Sequence, residues 1–155
     1  MSEPKNIKII TFVGLTGTGK TSATQYLADC GFPKVHFDTI DSVVEQIDGV
    51  INAGQHRVVL DGLDSWDSYK ALKHEYPGEL TTVAVTTTRH MRHHRLTKRI
   101  ENPMTERDAD QMDYNEIETQ NAGGVIAIAD YFMSNNGSLE KFHTKIDDLL
   151  HLIDF

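Results

Sequence analysis

The chain has 155 residues and a formal charge of -8, from 15 Lys and Arg against 23 Asp and Glu. That length holds one domain with a real core, expected to span residues 1–155, and leaves no room for a large second one. The acidic balance excludes the broad positive surface that nucleic-acid binding needs, and the single cysteine, Cys30, excludes an intrachain disulfide or a cysteine-rich zinc site.

The first six residues, Met1 to Asn6, lack the apolar core of a signal peptide. No stretch approaches the ~18 apolar residues of a membrane span. The expectation is a soluble, cytoplasmic protein that engages no membrane. Ile7 to Val13 is a β-rich apolar run that predicts an inner strand. A glycine-rich turn follows, then a helix to about Asp29, which Gly31 can close in the left-handed conformation. Val35-His36-Phe37 predicts a short second strand ending at Asp38. Asp41 to about Ala53 predicts a helix with Asp41 as its cap, a stripe of Val43, Val44, Ile47, Val50 and Ile51, and Gly54 as its stop.

Arg57 to Asp61 predicts the third strand, and Ser65 caps a helix from Trp66 to Glu75. Leu80 to Thr87 is the fourth strand. Arg89 to Arg99 predicts a strongly basic helix. Thr105 to about Gln120 predicts a polar helix in which Thr105-x-x-Asp108 is a capping pattern. Its acids Asp108, Asp110, Asp113, Glu116 and Glu118 read as a solvated face. Gly123-Gly124 reads as an interruption, followed by an apolar turn to Ala129. Asp130 to Ser134 is the last strand. Ser138 caps a final helix with Leu139, Phe142, Ile146, Leu149, Leu150 and Ile153 on one face. Strands alternating with helices call for a parallel sheet covered on both faces, with ligands gathered at the carboxyl ends of its strands.

Gly14-Leu15-Thr16-Gly17-Thr18-Gly19-Lys20-Thr21 is the G-x-x-x-x-G-K-[ST] phosphate-binding pattern, set between a strand and a helix as the pattern requires. Its glycines let the backbone curl so that amides and the helix N-terminus, through Ser22, face an anion. Lys20 reaches the β- and γ-phosphates, and the Thr21 hydroxyl ligates Mg²⁺. Asp61, ending an apolar strand, is the second expected Mg²⁺ contact; capping of its own loop is the alternative. Asp38, expected beside the phosphate-loop strand, is placed to orient or deprotonate an acceptor hydroxyl. His36 is either a substrate contact or a packed strand histidine.

Arg89, Arg92, Arg95, Lys98 and Arg99 concentrate positive charge in an acidic chain. Arg95 and Arg99 are the preferred contacts to a transferring phosphoryl group. The alternative is a solvated face paired with acids such as Glu101 and Glu106. His90 and His94 are one turn apart, but the surrounding arginines repel a cation, so these histidines and His93 read as exposed. Trp66, Tyr69, Tyr76 and Phe37 read as packing residues rather than a pocket lining.

These stretches together resemble P-loop small-molecule kinases of the dephospho-CoA kinase and nucleoside monophosphate kinase group, above all small dephospho-CoA-kinase-like proteins. The likeness is carried by the phosphate loop, Gly31-Phe32-Pro33-Lys34-Val35, Asp38, Val59 to Leu63, Arg95-Leu96-x-x-Arg99, Glu106-Arg107-Asp108, and Val125 to Tyr131 with Asn136-Gly137-Ser138-Leu139. The resemblance implies a three-layer α/β/α sandwich with a five-stranded parallel sheet and a short helical lid at about 95–110. It implies ATP and Mg²⁺ as cofactors, Arg107 as a further phosphate contact, and Asn136 and Gly137 beside the adenine base. Only Thr39 to His56 separate the second and third strands, and Asp64 stands where related proteins place an arginine. An acceptor smaller than CoA, such as a nucleoside or nucleotide, fits that space. The expected activity is ATP-dependent phosphoryl transfer to a small molecule by a monomer or homodimer. A nucleotide-binding regulatory protein without efficient transfer, or a dephospho-CoA kinase with a reduced acceptor region, are the alternatives.

Overall fold

Five parallel strands in the order β2-β3-β1-β4-β5 form the central sheet of the computed structural model, which describes residues 5–155. The elements are β1 (Lys8–Val13), α1 (Lys20–Asp29), β2 (Lys34–His36), α2 (Ile40–Asn52), β3 (Arg57–Asp61) and α3 (Trp66–Glu75). They continue as β4 (Leu80–Thr86), α4 (Arg89–Lys98), α5 (Glu106–Glu118), α6 (Gly123–Ala127), β5 (Tyr131–Ser134) and α7 (Leu139–Leu152). Among the described residues no helix is long and apolar enough to cross a membrane. The signal-peptide reading rests largely on residues 1–4, which lie outside the described residues.

Each inner strand is apolar on both faces because each face meets helices. On one side Ile9, Val13, Val58, Leu60 and Ala84 pack with Val43 and Ile47 of α2, Leu72 of α3 and Val125 of α6. On the other, Ile10, Phe12, Val59, Val83 and Val85 pack with Ala23 and Leu27 of α1 and with Phe142, Ile146 and Leu149 of α7. Burying each of these large side chains contributes ~2 kcal/mol. The result is the expected three-layer α/β/α sandwich. Two threonines inside the sheet satisfy their hydroxyls locally: Thr11 donates to Leu60 O at 2.9 Å, and Thr82 donates to Asp130 Oδ2 at 3.1 Å.

Helix starts follow side-chain caps. Ser65, Thr88, Thr105 and Ser138 each accept an amide of the first turn, and Thr105 with Asp108 forms the full reciprocal box. Four sequence expectations are corrected. Thr39, not Asp41, caps α2: its hydroxyl accepts Ser42 N at 3.1 Å, leaving Asp41 in the first turn. Gly123 and Gly124 do not interrupt the chain but open α6, because the Trp66 ring lies against Gly124 where a Cβ would come within 2.7 Å of it. Leu139 leaves the buried face of α7 and is 58% exposed. Finally, β2 pairs with β3 and not with β1, so Asp38 follows the outer strand.

Tyr76, at the end of α3, is fully buried, and among the described residues its hydroxyl finds no partner. Burial, helped by the charges of Asp48, Glu75 and Glu79, holds that hydroxyl well above the ordinary tyrosine pKa. The ring itself carries the Lys5 ammonium 4.2 Å from its centroid. Tyr76→Phe removes an unsatisfied polar atom and keeps the ring. It is expected to raise stability by about 1 kcal/mol, read as a higher denaturant midpoint at unchanged slope.

Candidate functional site

The phosphate loop leaves the central strand β1 and turns into α1 at Gly19, whose φ of 107° lies in the left-handed region that favours glycine. A Cβ there would stand 2.5 Å from Asn135 Nδ2, so even a methyl group would drive the loop from its support. Gly17 has φ 92° and sits against the α4 backbone at Arg92.

Three successive carbonyls of the loop are held from outside. Thr16 O accepts Arg92 Nη1 at 3.4 Å, Gly17 O accepts Arg95 Nη1 at 3.3 Å, and Thr18 O accepts Asn135 Nδ2 at 2.8 Å. Thr18 N and Oγ1 both donate to Leu15 O, closing the first turn. With the carbonyls drawn outward, the amides of Gly17, Gly19, Lys20, Thr21 and Ser22 have no protein acceptor among the described residues. All five residues line a cavity of about 570 Å³. An array of unsatisfied amides at a helix N-terminus is an anion nest. Arg95, Leu96 and Arg99 of the α4 end form one wall of the cavity, and Asn135, Gly137 and Leu139 form another. The exposure of Leu139 is thereby explained: it is an apolar wall of this cavity.

Arg95 divides its guanidinium between the loop and Asn135 O, at 2.8 Å from Nη2. Arg99, exposed, donates through Nε to Asn102 O at 2.7 Å. Asn136 Oδ1 accepts the amide of Thr88, the cap of α4, at 2.9 Å, and Asn136 does not line the cavity, while Gly137 does. Arg107 is exposed near the start of α5 and does not line the cavity. Asn135, which the sequence reading passed over, is the buried bridge between β5 and the loop. Its signal was the Asn-Asn-Gly turn after a strand.

The acids of the strand ends lie on the other side of β1. Asp61 ends β3, directly beside β1, and its Oδ2 is 3.5 Å from His36 Nδ1. Phe37 N donates to Asp61 O at 2.7 Å, tying the end of β2 to β3. Asp38 follows, exposed, one strand further from the loop. Neither acid lines the cavity. Thr21, in the first turn of α1, and Asp61, at the end of β3, both offer the hard oxygen that Mg²⁺ prefers. Among the described residues no group of three or more His, Cys, Asp or Glu is arranged to hold a metal ion.

The basic helix and the acidic face of α5 are solvated only in part: His90, His94, Lys98, Asp108 and Glu118 are exposed, whereas Arg92, His93, Asp113 and Glu116 are not. Arg92 is 5% exposed and forks onto Asp113, with Nη1–Oδ1 at 2.7 Å and Nη2–Oδ2 at 3.0 Å. His93 Nε2 meets the same carboxylate at 2.9 Å, with its side chain only 12% exposed, so it is not the surface histidine expected. Arg89 pairs with Asp110. Glu116, 5% exposed, accepts Thr16 N on Oε1 at 3.0 Å. The partners of α4 are therefore Asp110 and Asp113, not Glu101 and Glu106.

No family model matches the chain. A UPF0200 protein of Thermococcus kodakarensis is 34% identical over 110 residues, which cover 69% of this chain and 58% of that protein; the chain thus spans little more than half the length of that relative. Among solved structures, a sugar kinase from Janibacter matches with a TM-score of 0.64 at 15% identity, over 96% of this chain and 95% of that one. A shikimate kinase from Bacteroides thetaiotaomicron matches with a TM-score of 0.61 at 12% identity, over 96% and 99%. The fold is the P-loop NTPase α/β/α sandwich that these kinases also have, and these likenesses do not single out the dephospho-CoA kinases.

Burial pushes the Asp113 carboxyl up, but the hydrogen bonds and charges of Arg92 and His93 outweigh it and set its pKa below the ordinary carboxylate value. A depressed native pKa gives stability that is present above the unfolded value of ~3.9 and is lost as pH falls through the lower native value. Asp113→Asn is expected to flatten this part of the stability profile. Unfolding midpoints measured from pH 5 down to pH 2, side by side with the parent protein, check it.

Proposed function

We propose that the protein transfers the γ-phosphoryl group of ATP to a hydroxyl of a small-molecule acceptor. The reading is carried by one observation: the run of acceptorless amides at Gly17 and Gly19 to Ser22, together with Lys20, in one cavity. The likeness in fold to a sugar kinase and a shikimate kinase supports it. Lys20 and the amides bind the donor phosphates, with Gly137 and Leu139 against the base. Arg95 fixes the loop's shape, while Arg99, just past the end of α4, and Arg107, on α5, stand on either side of residues 100–105 and approach when that segment closes. Mg²⁺ on Thr21 and Asp61 would neutralise charge on the phosphates.

In the transfer, the acceptor oxygen bonds to the γ-phosphorus as the β–γ bridging bond breaks. ADP leaves and the hydroxyl proton passes to a base, which we assign to Asp38. The donor cavity opens on the β4–β5 side of the loop and the acids stand on the β3–β2 side, so the phosphoryl group would cross between them. Between β2 and β3 there is only α2, and space for the acceptor favours a nucleoside, nucleotide or metabolite of that size over dephospho-CoA. Nucleotide binding without transfer is the second reading, favoured by the exposed position of Asp38 on the outer strand.

Lys20→Ala removes a charge-assisted contact worth ~2 kcal/mol, so ATP binding should weaken roughly thirtyfold and turnover should vanish. Asp38→Asn should bind ATP within about twofold of the parent and lose at least ~100-fold in transfer. Titration calorimetry, with product detection by mass over nucleosides, nucleoside monophosphates and dephospho-CoA, separates the readings. ATP binding without any phosphorylated product favours the second, and full activity of Asp38→Asn removes that residue from its role.

A further inference from the structure

Of the loop amides from Thr16 to Ser22, two are occupied within the protein. Thr18 N serves the loop's own turn through Leu15 O, but Thr16 N is taken by a side-chain carboxylate from a helix 100 residues away, Glu116 of α5. A carboxylate on an amide of an anion nest is chemically a stand-in for a phosphate oxygen. This one is 5% exposed, and among the described residues its second oxygen has no protein partner. Glu116 does not itself line the 570 Å³ cavity, but Thr16, whose amide it holds, does.

The same residue is gripped twice, on the two peptide groups that flank its Cα. Its N–H goes to Glu116 and its carbonyl accepts Arg92, which is itself locked onto Asp113 one turn before Glu116 on α5. Thr16 thus joins the loop to the α4–α5 pair. A phosphate chain entering the nest brings negative charge towards a fixed buried carboxylate, where screening by water is weak. Both anions seek the same donor.

We propose that Glu116 is a positioning residue that competes with the donor's phosphate chain for the Thr16 amide, so that polyphosphate binding loosens the C-terminal half of α5. This rests on the proposed use of the loop for ATP and adds to it a link between loop occupancy and α5.

Glu116→Gln tests the link, because the amide oxygen still accepts Thr16 N while the charge is gone. The variant should bind both ATP and inorganic tripolyphosphate about tenfold more tightly than the parent protein by calorimetry. A merely structural role would weaken binding instead, so equal or weaker binding by a variant with the parent's melting temperature overturns the proposal. A second measurement needs no variant. Amide hydrogen exchange of residues 113–119 in the parent protein should speed up on adding ATP, and unchanged or slower exchange overturns the proposal. If the parent binds ATP and Glu116→Gln binds it no better, the link to Glu116 falls and the kinase reading stands. If the parent binds neither probe, both fall together.

Discussion

A glycine-rich loop has too little side-chain packing to hold its own shape, so its conformation must be imposed from outside. Here the imposing contacts are donors to backbone carbonyls: Arg92, Arg95 and Asn135 on Thr16, Gly17 and Thr18. Each peptide plane that is fixed by its oxygen has its N–H fixed with it. Holding the Thr16 and Thr18 oxygens therefore fixes the amides of Gly17 and Gly19, which line one cavity, while holding Gly17 O fixes Thr18 N on Leu15 O. The strength of the hold comes from burial. Asp113 neutralises the buried guanidinium of Arg92, and Arg92 and His93 in turn hold the Asp113 carboxyl below its ordinary pKa against the opposing effect of burial. Take away the ion pair between α4 and α5 and the geometry of the anion nest loses its frame.

This accounts for a chain that is acidic overall yet concentrates cations in one helix. Arg89 and Arg92 are used internally against α5, Arg95 is used on the loop and Asn135, and Arg99 is left exposed at the cavity wall. Positive charge is therefore present around the phosphate loop while the strand-end acids Asp38, Asp61 and Asp64 stand on the other side of β1. The division follows from the sheet order: β4 and β5 carry the basic helix and the Asn135 bridge to one side, and β3 and β2 carry the acids to the other.

The sequence displayed the elements well because their signals are local. Alternating and continuous apolar runs marked the strands, and Thr105-x-x-Asp108 and Ser65 marked helix starts to the residue. The phosphate loop was legible because its glycines and Lys20 are contiguous. What stayed hidden depends on partners far along the chain. Nothing within Glu106 to Glu118 distinguishes Asp113 and Glu116 from Asp108 and Glu118; only the approach of α4 and the loop, 20 to 100 residues distant, buries two of them. Likewise Asp38 was expected beside the phosphate-loop strand, because the order of parallel strands is not written in any one of them. At the α2 start, Thr39 and Asp41 both suit a cap, and the extended backbone at Thr39 decided between them.

Trp66 is the only tryptophan of the chain. Its ring stacks on Tyr69 with centroids 5.5 Å apart and lies on Gly124, while its backbone N–H donates to Asn121 O in the turn that follows α5. The indole is thus a built-in optical reporter seated at the downstream end of the helix that grips the loop. Because no other indole contributes, a shift in emission colour on adding a ligand would describe the wetting of that one joint.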